Sequence, residues 1–259
     1  MAKLSTLSAS KTKRILVYGP PKSGKTELVG KLAEKFNLIW FDLEQGKDTL
    51  FKLPKEWQER IDLISIPDTK PVPIASETLL KVFQGRATKI CIKHGKVACP
   101  LCAKDSLAGW NEVDFSKLTQ NDVVVIDSLT QFSISAMNNL LRNQPDDYKP
   151  LLDDWGNLKV IVEKLGTFIQ AAQFNVVAIS HEDSVELVDG KEKIVPVLGS
   201  RNSSRNTAKY FDECIYAEVR NGKHMFGSST TYKASTLTGS RSGAALEKSA
   251  EPSLLDLWK

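Results

Sequence analysis

Apolar and polar positions divide the chain into short, nearly continuous apolar runs and longer amphipathic ones. Residues 14–18, 38–43, 123–126 and 175–180 lack polar alternation, as strands buried on both faces of a parallel sheet do. Residues 61–66 read as one further strand. Residues 25–36 place Leu28, Val29 and Leu32 on one helical face, residues 75–83 read as a helix, and another helix is expected from residue 128 to about residue 141. Asp153 and Asp154 stand where a helix N-terminus favours acids, and the helix they open carries Trp155, Leu158, Val162, Leu165 and Ile169 on one stripe. From Val185 onward the pattern is β-rich. Residues 185–188 and 194–198 flank Asp189-Gly190 as a hairpin, and strands are expected at 213–219 and around 230–235. Leu254, Leu255, Leu257 and Trp258 are expected to dock on the core. Strand–helix alternation followed by β-rich structure predicts an α/β fold with a mostly parallel central sheet and antiparallel C-terminal strands.

Composition narrows this picture. The 259 residues are 41% hydrophobic, enough for one sizeable core with a small insert. Residues 1–13 read as a flexible basic tail, residues 14–259 as the folded domain and residues 85–110 as an insert of different character. No stretch resembles a signal peptide or a membrane span, so a soluble, cytoplasmic protein without a membrane partner is expected. The net charge of +4 permits a nucleic-acid partner without demanding one.

The run Gly19-Pro20-Pro21-Lys22-Ser23-Gly24-Lys25-Thr26 lies between the first strand and the first helix. Glycines at this spacing let backbone N–H groups curl around phosphate oxygens, and the following helix aims its positive end at the same anion. Lys25 is expected on the β- and γ-phosphates of ATP and the Thr26 hydroxyl on Mg²⁺. Asp127 ends the strand Val123-Val124-Val125-Ile126, where a metal-positioning carboxylate belongs. Ser128 follows it, so the group that orients the attacking water must come from elsewhere. Glu44, just after the strand at 38–43, is the candidate. These residues predict an ATPase.

Cys91-x2-His94-x4-Cys99-x2-Cys102 supplies four soft ligands as two close pairs. Three sulfurs and one nitrogen fill a tetrahedral zinc site, which makes it structural rather than catalytic. A short insert gains its folding energy from such an ion. Cys214, alone in a strand pattern, reads as a core residue. The segment 78–104 holds no acid and several lysines, together with Arg86, so it reads as a nucleic-acid contact or as a solvated knob.

Phe41-Asp42-Leu43-Glu44 and Val125-Ile126-Asp127-Ser128 resemble the core of the RecA family, most closely its short phage-encoded members of the Sak type, which are single-strand annealing ATPases. The resemblance spans about residues 14–245. It implies that Glu44 activates water and that the strand 176–180 ends in a sensor of the γ-phosphate, a position that falls on His181; RecA has glutamine there, a departure. With eighteen residues before Gly19, a bare RecA-like core is expected. The resemblance further implies a homo-oligomer, ring or filament, with ATP sites between subunits completed by a neighbour's basic residue, Arg241 or Lys233 being candidates. Single-stranded DNA is the implied partner, and a single-stranded DNA-binding protein is a further one. DNA would be held by the loop within 184–210, where Arg201, Arg205 and Lys209 sit in an acid-free stretch from 193 to 211 and Tyr210 is placed to stack a base. The rival readings are a helicase or helicase-loading motor on the same core, a nucleotide-switched protein scaffold without DNA binding, and a small-molecule kinase.

Overall fold

The computed structural model describes residues 12–84, 87–187 and 190–258. The strands are β1 (Arg14–Tyr18), β2 (Asn37–Asp42), β3 (Ile61–Ser65), β4 (Thr88–Cys91), β5 (Trp110–Val113), β6 (Asp122–Asp127), β7 (Asn175–Ser180), β8 (Glu182–Glu186), β9 (Glu192–Pro196), β10 (Glu213–Arg220), β11 (Lys223–Gly227) and β12 (Gly239–Ser240). The α-helices are α1 (Lys25–Gly30), α2 (Lys55–Gln58), α3 (Ala75–Phe83), α4 (Leu129–Leu140), α5 (Leu152–Ala171) and α6 (Arg201–Arg205).

The central sheet runs β11-β10-β1-β7-β6-β2-β3, with β12 paired to β10. β10, β1, β7, β6, β2 and β3 pair in parallel, whereas β11 and β12 join β10 antiparallel. This is the expected α/β architecture, a mostly parallel sheet with antiparallel C-terminal strands. Its cause is visible in β6. Val123 and Val125 point into one apolar layer with Leu28, Val29 and Leu32 of the α1 side. Val124 and Ile126 point into the other, with Leu79 of α3, Phe132 of α4 and Leu165 of α5. A strand buried on both faces must be apolar at every position, and each such side chain contributes about 1.5–3 kcal/mol. Leu254 and Leu257 do dock on the α1 layer, and Trp258 packs on Phe36 at 4.9 Å.

Several local expectations change. Helix α1 passes into a 3-10 turn over Lys31–Glu34 instead of running to residue 36. Trp155 is 39% exposed, although the rest of its stripe is buried. No strand forms around 230–235; the chain turns there, and the strand that follows β10 in sequence and pairs antiparallel with it is β11, reached through positive-φ residues Asn221 and Gly222. The hairpin β8–β9 forms, but the turn residue Asp189 lies outside the described residues, as do residues 1–11 of the expected tail and Arg86. The insert is less separate than its composition suggests. β4 and β5 pair antiparallel, and Ile90 is buried in the main core, as are Val113 and Phe115 just after the insert. Among the described residues, no helix is long and apolar enough to cross a membrane.

Candidate nucleotide and metal sites

Parallel pairing brings the C-terminal ends of β1, β7, β6 and β2 into one row, and the nucleotide site grows from that edge. β1 delivers the loop 19–26. Gly19 has φ 152°, and a Cβ there would come within 2.0 Å of the Ala217 carbonyl oxygen, so the close approach of β10 admits only glycine. Gly24 N-caps α1 with φ 88° and no side-chain hydrogen bond, and the first intrahelical bond is Leu28 N–H to the Gly24 carbonyl. The N–H groups of the first turn therefore remain for an anion. Pro21, Lys22, Ser23, Gly24, Lys25, Thr26, Glu44, Asp127, His181 and His224 line a cavity of about 370 Å³.

The side chains are tied to one another. Lys25 is buried and donates through Nζ to the carbonyls of Gly19 (2.9 Å) and Pro20 (2.7 Å). Burial lowers its pKa, against the pull of Asp127 and Glu44. Thr26 Oγ1 donates to Asp127 Oδ2 at 3.4 Å. Ser128 caps α4: its Oγ accepts from Gln131 N–H at 3.2 Å and donates to Glu44 Oε1. His181 Nε2 meets Glu44 Oε2 at 3.2 Å. Burial raises the Glu44 pKa, but the hydrogen bonds from His181 and Ser128 prevail and hold it below the ordinary value.

Asp42 and Asp127 are register partners in β2 and β6. Burial, then Glu44 and Asp42, push Asp127 up to about 7. Asp42 is raised by burial too, while Gly46 N–H donates to its Oδ1 at 3.0 Å. Its Oδ2 is buried without a partner, as is Ser23 Oγ. Asp127 and Glu44 act on Lys25, and Asp42, with its orphaned buried oxygen, stands beside Asp127; this excess of carboxylates fits a site completed by a hard divalent cation and a phosphate chain. Thr26 and Asp127 are the residues present to hold Mg²⁺.

The structure brings together Gly19 to Thr26, Glu44, Asp127 and His181. It leaves the two basic candidates elsewhere. Arg241 pairs with Asp212 at 2.8 Å, beside Arg14, at the end of β1 opposite the phosphate loop, so it is remote from that loop. Lys233 pairs with Glu218 and lies over the Tyr216 ring at 5.5 Å.

The stretch holding Arg201, Arg205 and Lys209 is ordered. Ser200 caps α6, which Arg201 opens and Arg205 closes, and Lys209 follows in a 3-10 turn. All three side chains are exposed on successive turns. Arg205 donates to the Glu186 carbonyl, and Lys209 lies 4.8 Å from the Tyr210 ring centre. Tyr210 is a correction. It is buried against Gly166, where a Cβ would come within 2.4 Å of its ring, so it is a core residue and not a stacking platform.

His94 Nδ1 lies 3.9, 3.5 and 3.3 Å from the sulfurs of Cys91, Cys99 and Cys102, and all four ligand atoms lie within 4.8 Å of one another. Zinc bonds of about 2.3 Å to sulfur and about 2.0 Å to nitrogen give tetrahedral edges of about 3.5–3.8 Å, so the cluster could bind zinc. The Cys102 N–H draws the Cys99 thiol down to about 6 against burial, helped by the Leu101 N–H, while burial and the neighbouring thiols raise Cys102 to about 11. Cys214 is buried in β10, and burial raises its thiol to about 12.

Two contacts escape sequence reasoning: Ser128 on Glu44, and His224 of β11, whose Nδ1 lies 3.0 Å from the Ser23 carbonyl oxygen. A usable signal exists for the second. The chain has three histidines; two belong to the sites already described, and the third follows the hairpin signal Asn221-Gly222.

No curated protein matches the sequence. Among solved structures, an ATPase from the type III secretion system of pathogenic bacteria is 13% identical with a TM-score of 0.46, the alignment covering 80% of this chain and 52% of that one. The chain thus spans about half the length of that ATPase. A second solved structure, described as an ATPase domain, is 12% identical with a TM-score of 0.44, with 92% of this chain and 80% of that one covered. The family model described as AAA domain matches residues 11–242. Because that match runs through every strand of the central sheet and every residue of the phosphate cavity, the chain belongs to the AAA domain family.

Proposed function

We propose that this protein is an ATPase and a single-stranded DNA-binding recombination or annealing protein of the RecA-like phage type, acting as a homo-oligomer with ATP held at subunit interfaces. The observation that carries the reading is the bonding of the basic segment to the strand end beside Glu44. Val197 N–H donates to the His181 carbonyl at 2.9 Å, Ser180 Oγ donates to the Val197 carbonyl at 2.9 Å, and Gly199 N–H donates to Ser133 Oγ of α4 at 2.8 Å. Arg201, Arg205 and Lys209 follow directly. A change at His181 is therefore passed through backbone bonds to three exposed cations, and exposed cations on successive turns suit a phosphate backbone.

In this reading the loop N–H groups and Lys25 hold the phosphates of ATP, while Thr26 and Asp127 hold Mg²⁺. The ion supplies charge neutralisation at the phosphates. Glu44 orients the attacking water, its carboxylate kept ionised and fixed by Ser128 and His181. His181 serves as the γ-phosphate sensor. A neighbouring subunit supplies the basic group that completes the site, from Arg241 or Lys233. Cys91, His94, Cys99 and Cys102 hold a structural zinc.

The test is ATP hydrolysis by purified protein with and without single-stranded DNA, at low and moderate salt, with Glu44→Gln as control. Stimulation that fades with salt and vanishes in the variant is expected. Hydrolysis indifferent to DNA, with no DNA binding at low salt, sinks the reading in favour of a nucleotide-switched scaffold. ATP-driven strand separation would favour a helicase.

A further inference from the structure

We propose that His224 is a positioning residue for the phosphate loop, and that the β10–β11 hairpin is a clamp gripping that loop at both ends. The grip at the first end is steric: the Ala217 carbonyl of β10 occupies the space where a side chain on Gly19 would go. At the second end it is a hydrogen bond. His224 Nδ1 lies 3.0 Å from the Ser23 carbonyl oxygen. A carbonyl oxygen only accepts, so Nδ1 carries the hydrogen and donates it. The ring also lies on Gly24, where a Cβ would come within 2.9 Å of Nδ1 and 3.2 Å of Cγ.

The Ser23–Gly24 peptide is trans, and in a trans peptide C=O and N–H point in opposite directions from a rigid plane. Holding the Ser23 carbonyl therefore fixes the direction in which the Gly24 N–H is offered. Gly24 itself supplies no such restraint. It sits at φ 88°, where glycine is permissive, and no side chain caps the helix it opens. Its partner is fixed by the hairpin. Asn221 and Gly222, with φ 52° and 76°, make the turn, and His224 sits opposite Val219 in the β10–β11 register. His224 also lines the phosphate cavity. Presentation of N–H groups to phosphate thus depends on a residue about two hundred positions away in sequence, on the outermost strand of the sheet.

The experiment measures the dissociation constant of Mg²⁺-ATP together with kcat and KM for His224→Ala, His224→Phe and His224→Asn. Asparagine keeps an N–H donor at the same bond distance from Cα, and phenylalanine keeps a ring without a donor. Loss of the hydrogen bond in the alanine and phenylalanine variants is expected to weaken ATP binding about tenfold, about 1.4 kcal/mol. The kcat should stay within about threefold and asparagine should recover most of the loss. Hydrogen exchange in a peptide covering residues 19–26 of the free protein reads the same bond without ATP: faster in the alanine and phenylalanine variants, unchanged in asparagine. Binding as tight as wild type in His224→Ala overturns the proposal. So does equal weakening in all three variants, or a phenylalanine variant that matches wild type.

Discussion

The phosphate site and the Cys/His cluster gather polar side chains by opposite routes. The phosphate site draws on Gly19 to Thr26, Glu44, Asp127, Ser128, His181 and His224, segments far apart in sequence. Parallel register brings them together: Tyr18 pairs with Ser180 and Asp42 with Asp127, so successive strand ends line up. Once there, the groups bond to one another, Lys25 to the loop carbonyls and Glu44 to both Ser128 and His181. The cluster instead draws four ligands from residues 91–102. Its ligand atoms are gathered within 4.8 Å of one another on a segment that contributes little beyond Cys91, Cys99, Cys102, Ala108 and Trp110 to a core of its own. In the first case the fold pre-organises the chemistry. In the second, an ion would organise the fold. Damage to each region should therefore register in different measurements.

The largest effect is expected at Glu44. Changing it to glutamine removes the charge proposed to orient water but keeps a shape able to face Ser128 and His181. The kcat should fall about 10²–10⁴-fold, while ATP binding stays within about threefold and the thermal transition within a few degrees. Steady-state kinetics, nucleotide titration and calorimetry on one preparation check this. A variant that loses stability in proportion to activity would show that the carboxylate holds the fold as well, and the contrast between the regions would fail.

Removing the zinc proposed for the cluster should give the reverse pattern. Chelation, or Cys99→Ser with Cys102→Ser, is expected to abolish bound zinc by elemental analysis and to lower the thermal transition by more than about 5 °C. ATP affinity should change by less than about threefold. The penalty extends beyond the insert because Ile90, Val113 and Phe115, which flank the cluster in sequence, are packed in the main core. Phe115 meets Phe83 and Phe174 at 5.0 and 4.8 Å. A metal-free protein with an unchanged transition would mean that the β4–β5 pair holds its shape by packing alone.

The same contrast explains what could be read in the sequence. β1, β2, β6 and β7 declare themselves locally, because a strand buried on both faces needs apolar residues in succession. The phosphate loop and Asp127 are legible because they sit at the ends of those runs. The outer strand β11 is not legible in this way. Lys223-His224-Met225-Phe226-Gly227 forms β11 although it reads as no strand, since half of it faces solvent and β10 supplies its hydrogen bonds. Around 230–235 a strand-like stretch turns instead, with Tyr232 and Lys233 held by Glu218. Tyr210 reads in sequence as an exposed aromatic on a basic loop. The missing side chain at Gly166, 44 positions earlier and opposite its ring, makes it a core residue. Contacts of that range, like Ser128 on Glu44 and His224 on Ser23, leave no periodic trace.

The smallest effect should run in the stabilising direction. Asp127 is buried beside Glu44 and Asp42, with Lys25 and Thr26 as its offsets, and its pKa is raised to about 7. A carboxylic acid whose folded pKa lies above its unfolded value destabilises the fold progressively as pH rises from the unfolded to the folded value, where folding must keep the proton at a cost, and fully above the folded value, where it must bury the charge. At pH 8 without divalent cations, Asp127→Asn should therefore raise stability by about 1–3 kcal/mol, a few degrees in the thermal transition, while hydrolysis is lost. At pH 4, where the native carboxyl is protonated, the gain should nearly vanish. Adding Mg²⁺-ATP should reverse the order at pH 8, since the wild-type carboxylate gains its ion and the asparagine does not. Such a reversal marks Asp127 as a charge kept for its ligand at the expense of the free protein. An asparagine variant less stable than wild type at pH 8 would mean that its bond to Thr26 and its neighbourhood with Lys25 outweigh burial.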